Sequence, residues 1–149
     1  MQLEDRSRAV LLRGASGDLS ELGAPGITWY HTPGHAPSHV VYAHAPSRSL
    51  LGGDIADVLV DAEGGTTLPD GRVLKPGAPA LFTLTVFAGA SEAEARRSLC
   101  RLAYDASIPF DVARPYHDAT KRGFTRAQLA PLVEEAARCG GSVPPASAA

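Results

Sequence analysis

Residues 31–39, HTPGHAPSH, set three imidazoles four positions apart, at His31, His35 and His39. On a helix that spacing would stack them into one stripe able to share a metal ion. The residues between them forbid the helix. Pro33 and Pro37 have no amide proton and turn Thr32 and Ala36 away from helical backbone angles, and Gly34 adds freedom that a helix disfavours. The stretch is therefore a loop, and the histidines must be judged by what else the fold brings to it. Two further donors stand in comparable places: Asp54 after SLLGG, and His117 after FDVARPY. Neutral imidazoles and a carboxylate bind zinc at about 2.0–2.2 Å and can come from well-separated loops. His35, Asp54 and His117 are 19 and 63 residues apart, so only a folded domain unites them.

The elements that would carry them read as follows. RAVLLR (8–13), ITWYH (27–31), HVVYA (39–43) and residues 49–52 are apolar, β-favouring runs between turn residues. Of Trp29 and Tyr30, which alternate, one is expected in the core and the other outward. From 55 to 80 the chain is irregular, with a hairpin expected about Asp70-Gly71 and a strand over 81–87. Ser91-Glu92-Ala93-Glu94 has capping-box order, and Ala95, Leu99, Leu102, Ala103 and Ala106 recur at helical spacing opposite Arg96, Arg97 and Arg101. That arginine stripe reads as a solvated face. A short strand is expected over 110–113 and a last helix between Thr125 and Arg138, capped by Thr125 or begun at Pro131. Residues 1–138 read as one domain, and 139–149, GGSVPPASAA with Cys139 before it, as a disordered tail.

The whole chain narrows the function classes. Its 149 residues, 44% hydrophobic, suit one domain. A net charge of −2 with mixed signs offers no footprint for nucleic acid or an anionic membrane. Cys100 and Cys139 match neither a zinc cluster nor a disulfide framework, so free or buried thiols in a reducing compartment are expected. No signal sequence or membrane span is read in the chain, and the expectation is a soluble, cytoplasmic protein.

In this order the motifs resemble the metallo-β-lactamase fold of zinc hydrolases. HTPGHAPSHVVY is similar to that family's T-P-G-H loop running into a strand, SLLGGDIA to its strand ending in Gly-Asp, and EAEARRSLCRL with the strand and His117 to its last ligand-bearing unit. The resemblance spans about residues 27–117 and falls in the family's second half. It implies an α/β (α+β) fold, a partial αββα sandwich with metal at one rim. His35 would bind a first zinc ion, Asp54 would bridge two, and His117 would bind the second. The implied chemistry is hydrolysis of an ester, thioester, amide or phosphoester of unspecified small-molecule substrate.

The family's first half carries H-x-H-x-D-H, and no histidine here precedes His31. Catalytic zinc needs about three protein ligands beside its water. The resemblance therefore implies weak or partial zinc binding and a weak or inactive isolated chain. It implies either a hydrolase site completed by a second copy or a partner chain, or a non-catalytic, degenerate or truncated module of the same fold acting in binding or assembly. His31 and His39 read as histidines bonded near the site, His39 with a supporting role, His44 as solvent-exposed, and Asp57 as a solvated loop acid. A sheet without its partner would also leave Val40, Tyr42, Leu50 and Leu81 too little cover.

Overall fold

The computed structural model describes residues 9–60, 66–67, 71–77, 79–82, 88–117 and 122–144. In chain order the elements are β1 (Ser16–Asp18), β2 (Ile27–His31), β3 (Val40–His44), β4 (Ser49–Leu51), β5 (Asp57–Val60), β6 (Thr66–Thr67), β7 (Val73–Leu74), β8 (Pro79–Phe82), α1 (Glu92–Tyr104), β9 (Val112–Arg114), β10 (Phe124–Thr125) and α2 (Arg126–Ala137). Six strands form one sheet in the order β1-β2-β3-β4-β9-β10, while β5 pairs with β8 and β6 with β7. All neighbours in the large sheet are antiparallel except β4 and β9. Strands β2, β4 and β9 therefore run in one direction, and their C-terminal ends share a rim.

The register divides the sheet into two faces. Thr28, Ala43, Leu50, Ala113 and Phe124 lie in one cross-strand row, with Tyr30 and Val41 on the same side. Their side packs with Leu99, Leu102, Leu129 and Val133 of the two helices in the core. Trp29, Tyr42, Leu51 and Arg114 make the opposite row. There Leu51 is 45% exposed, and Val40 and Tyr42 are half-buried. Val40 and Tyr42 thus lie on the under-covered side as expected, whereas Leu50 and Leu81, each about 1% exposed, belong to the core. Both Trp29 and Tyr30 are buried, because the indole lies across Gly17, where a Cβ would come within 2.6 Å of Nε1. Helices cover one face of one sheet, which is half of the expected sandwich.

Both long helices begin where capping chemistry places them. Ser91 Oγ accepts the Glu94 amide, and Thr125 forms a full capping box with Gln128, so α2 is capped by Thr125, starts at Arg126 and runs through Pro131. Arg126, next to that cap, donates to the carbonyls of Leu102, Ala103 and Ile108 and lies 4.0 Å from the centre of the Phe110 ring. It closes the C-terminal end of α1 and ties α2 to it.

Several expectations are corrected. Residues 9–13 form no strand: Val10 and Leu11 are exposed, and the edge strand is Ser16–Asp18, chosen by pairing with β2 rather than by β-propensity. The stretch read as irregular contains β5, paired with β8 over Asp57↔Phe82 to Val60↔Pro79. β6 and β7 form the expected antiparallel pair, although Asp70 and residues 83–87 fall outside the described residues. Cys100 and Cys139 are not free thiols but a disulfide, their Cα atoms 5.6 Å apart. Cys139 is thereby anchored, and the amides of Gly140 and Gly141 donate to Glu134, so the tail's first residues are held. The arginine stripe is also engaged within the chain, Arg96 with Glu92 and the Ala136 carbonyl, and Arg101 with Asp105. Among the described residues, no helix is long and apolar enough to cross a membrane.

Candidate metal centre

The shared rim brings the three sequence-predicted donors together. Leu51 and Arg114 are paired across the parallel strands β4 and β9, and Asp54 and His117 each lie three residues beyond them. Parallel neighbours leave the sheet side by side, so equal offsets keep the two side chains adjacent. Backbone bonds fasten the exits to each other: the Gly52 amide to Arg114 O (2.9 Å), the Tyr116 amide to Gly53 O (3.1 Å) and the Val58 amide to His117 O (3.1 Å).

The histidine loop, which is irregular as its prolines require, is fixed from the other side by α1. Gly34, at φ +141°, lies so close to the helix that a Cβ would fall 2.3 Å from the Ala95 backbone. Its carbonyl accepts the Ser91 amide at 2.8 Å, and Ser98 Oγ donates to Pro33 O at 2.7 Å. His35, 9% exposed, is thereby held over the rim.

Asp54 stands between the two imidazoles. Its Oδ2 is 3.9 Å from His35 Nε2 and its Oδ1 is 3.5 Å from His117 Nε2. Each carboxylate oxygen thus faces a different histidine, as a bridging ligand requires. Two donors on one ion at about 2.1 Å and a tetrahedral angle lie about 3.4 Å apart, so the His117–Asp54 separation is that of co-ligands and the His35 separation is wider.

His39 performs a task that its position in the loop only hinted at. Its Nε2 accepts the Asp54 amide at 3.1 Å, so the ring proton is on Nδ1 and is donated to Thr32 Oγ1 at 2.9 Å. Gly53, at φ +52°, makes this contact possible, since a Cβ would come within 2.8 Å of that nitrogen. Burial, then repulsion from His35, lowers the His39 pKa against the pull of Asp54, which keeps the ring in the neutral form that the bond needs. His31 Nε2 donates to Pro37 O at 2.7 Å, a structural role as expected. His44 is half-buried rather than exposed, and its ring bonds Ser47.

Asp57, read from the sequence as a solvated loop acid, is placed differently by the structure. It is half-buried at the start of β5 rather than solvated, directly before the amide that binds His117 O. Burial raises its carboxyl above the ordinary range, His117 draws it back, Asp54 pushes it up, and His35 lowers it. The signal available in the sequence was its offset of three from Asp54. The strand that carries it was not legible.

The donor types suit zinc, and the buried oxygens Asp54 Oδ1 and Asp57 Oδ1 have no hydrogen-bond partner, which is costly unless an ion meets them. In number the site is incomplete. Among the described residues, no group of three or more His, Cys, Asp or Glu side chains is gathered, as the side chains stand, to hold a metal ion.

Comparison with solved structures gives the fold. The chain superposes on the DIM-1 metallo-β-lactamase with a TM-score of 0.52 at 19% identity, covering 87% of this chain and 48% of that one. The same protein exposed to ceftazidime gives a TM-score of 0.50 at 18% identity, with coverage of 87% and 47%. An archaeal metallo-β-lactamase superfamily protein from Sulfolobus tokodaii is similar at 17% identity and a TM-score of 0.48, over 91% of this chain and 42% of that one. No protein-family model matches the chain, and no curated protein sequence does. The chain has the metallo-β-lactamase fold and spans about half the length of the structures it matches.

Proposed function

We propose that this chain carries one half of a zinc-dependent hydrolase centre on a metallo-β-lactamase fold, and that a complementary polypeptide bearing the missing donors completes it. The observation that supports this reading is the position of Asp54, whose two oxygens face His35 and His117 separately while Oδ1 stays buried and unbonded. When bound, zinc supplies Lewis acidity toward water and toward a carbonyl or phosphoryl oxygen. The chain's own part is positional: His35, Asp54 and His117 would hold the metals, and His39 keeps the Asp54 turn in place. The alternative, a non-catalytic assembly module, draws on the absence of a gathered metal group among the described residues.

Zinc titration of the purified chain and of Asp54→Ala tests the reading. Weak binding that disappears in the variant is expected. Equal binding by both proteins, or none by the folded wild type, would overturn the metal assignment and leave the assembly module.

A further inference from the structure

We infer that the Cys100–Cys139 disulfide is a redox-sensitive latch, which a dithiol reductant opens to release the segment beginning at Cys139 while both helices and the histidine loop stay in place. The zinc reading above plays no part in it. The first support is where the bond is made. Cys100 lies inside α1 and is 1% exposed, whereas Cys139 lies beyond the last residue of α2, Ala137, and is 8% exposed. A cross-link between two elements staples them to each other; this one ties a segment that follows the last helix to the core. The second support is what else holds that segment. Gly140 and Gly141, at φ +67° and +74°, take the left-handed turns that bring their amides to the Glu134 carboxylate, at 3.1 and 2.6 Å. Glu134 belongs to α2 itself, so these bonds close a local turn rather than reach a distant element. Residues 140–143 are exposed.

The helices, by contrast, are joined by contacts that reduction leaves intact. Arg96 donates to Ala136 O at 2.8 Å, Tyr104 donates to Glu134 at 2.9 Å and Arg126 donates to Leu102 O at 2.7 Å, while Leu99, Leu102, Leu129 and Val133 share one core. Arg96, Cys100 and Tyr104 stand four apart, so they form one stripe of α1, facing α2. Ala95 and Ser98, which hold Gly34 and Pro33 of the histidine loop, lie on another. That loop therefore does not hang on the disulfide. Segments held by few buried contacts and by exposed hydrogen bonds open locally, at free energies well below that of global unfolding. In the reaction a thiolate of the dithiol attacks the sulfur of Cys139, the more exposed partner, and the Sγ–Sγ bond breaks as Cys100 leaves with the electron pair and takes up a proton. The second thiol then displaces Cys139 from the mixed disulfide, and the reductant ends as its own disulfide. Two electrons and two protons have passed from the dithiol to the two cysteines.

Dithiothreitol treatment of the intact, folded chain tests the latch, read by amide hydrogen exchange and by trypsin cleavage after Arg138. In the oxidised protein the Gly140 and Gly141 amides should be protected and the Arg138–Cys139 peptide bond should resist the protease. On reduction without denaturant both glycine amides should lose their protection and that bond should be cut, while the Leu99 and Val133 amides stay protected and the His35 ring resonances stay where they were. Cys139→Ser, with Cys139→Ala beside it as the apolar replacement, should behave in oxidising buffer as the reduced wild type does. The wild type reduced in place carries the test without either variant. If dithiothreitol reduces the bond only as the Leu99 and Val133 amides open with it, the disulfide is a staple of the whole fold and the latch is overturned. Gly140 and Gly141 amides that keep full protection after reduction would overturn it equally.

Discussion

Gly34 and His39 show how little at the rim is left to the donors themselves. Gly34 admits the histidine loop against α1 where a methyl group would strike backbone. We predict that Gly34→Ala destabilises the fold by about 1–3 kcal/mol, the usual cost of forcing volume into a packed contact, with His35 displaced from Asp54. Chemical denaturation, together with the His35 ring resonance, measures both effects. His39 acts one bond away, through the Asp54 amide. His39→Ala should leave the helices intact and lower zinc affinity by about 10- to 100-fold, as loss of an outer partner does; calorimetry reads the change. The three donors were legible because each follows a strand whose end the sequence marks with Gly or Pro. Asp57 was not, because a carboxylate's burial depends on β8, more than twenty residues further on.

Among the elements, the helix pair is the part the sequence described best and the part that carries a bond it did not foresee. Ser91 and Thr125 cap where their types require, since a cap is a local event. The disulfide between Cys100 and Cys139 is tertiary: it depends on α2 returning beside α1, which no spacing announces. Reduction should cost about 3–4 kcal/mol on the chain-entropy estimate for a separation of 39 residues, seen as a lowered denaturation midpoint in dithiothreitol and in Cys139→Ser. Arg126 should matter comparably. Its guanidinium serves two carbonyls in the last turn of α1, those of Leu102 and Ala103, and that of Ile108 beyond it, and bonds to a charged donor are worth about 1.5–3 kcal/mol each at most. Arg126→Ala is predicted to destabilise the protein by about 2 kcal/mol, and Arg126→Lys, which retains charge but not the fork, by less. Equal losses in the two variants would mean that the fork's geometry, not charge, holds the end.

At the scale of the whole molecule, one sheet carries helices on one face and leaves Val40, Tyr42 and Leu51 under-covered on the other. Such a face favours association or dye binding by the isolated chain. A sedimentation profile of a compact monomer that binds no dye would contradict that expectation. The same incompleteness governs chemistry, since the donors divide between two sides of Asp54 and the His35 side has too few of them. The most direct test is turnover by the zinc-saturated, folded chain alone against thioester, lactone and β-lactam substrates. A half-centre predicts no hydrolysis above the zinc-only background. Turnover by the isolated chain that is abolished both by chelation and by Asp54→Ala would contradict it.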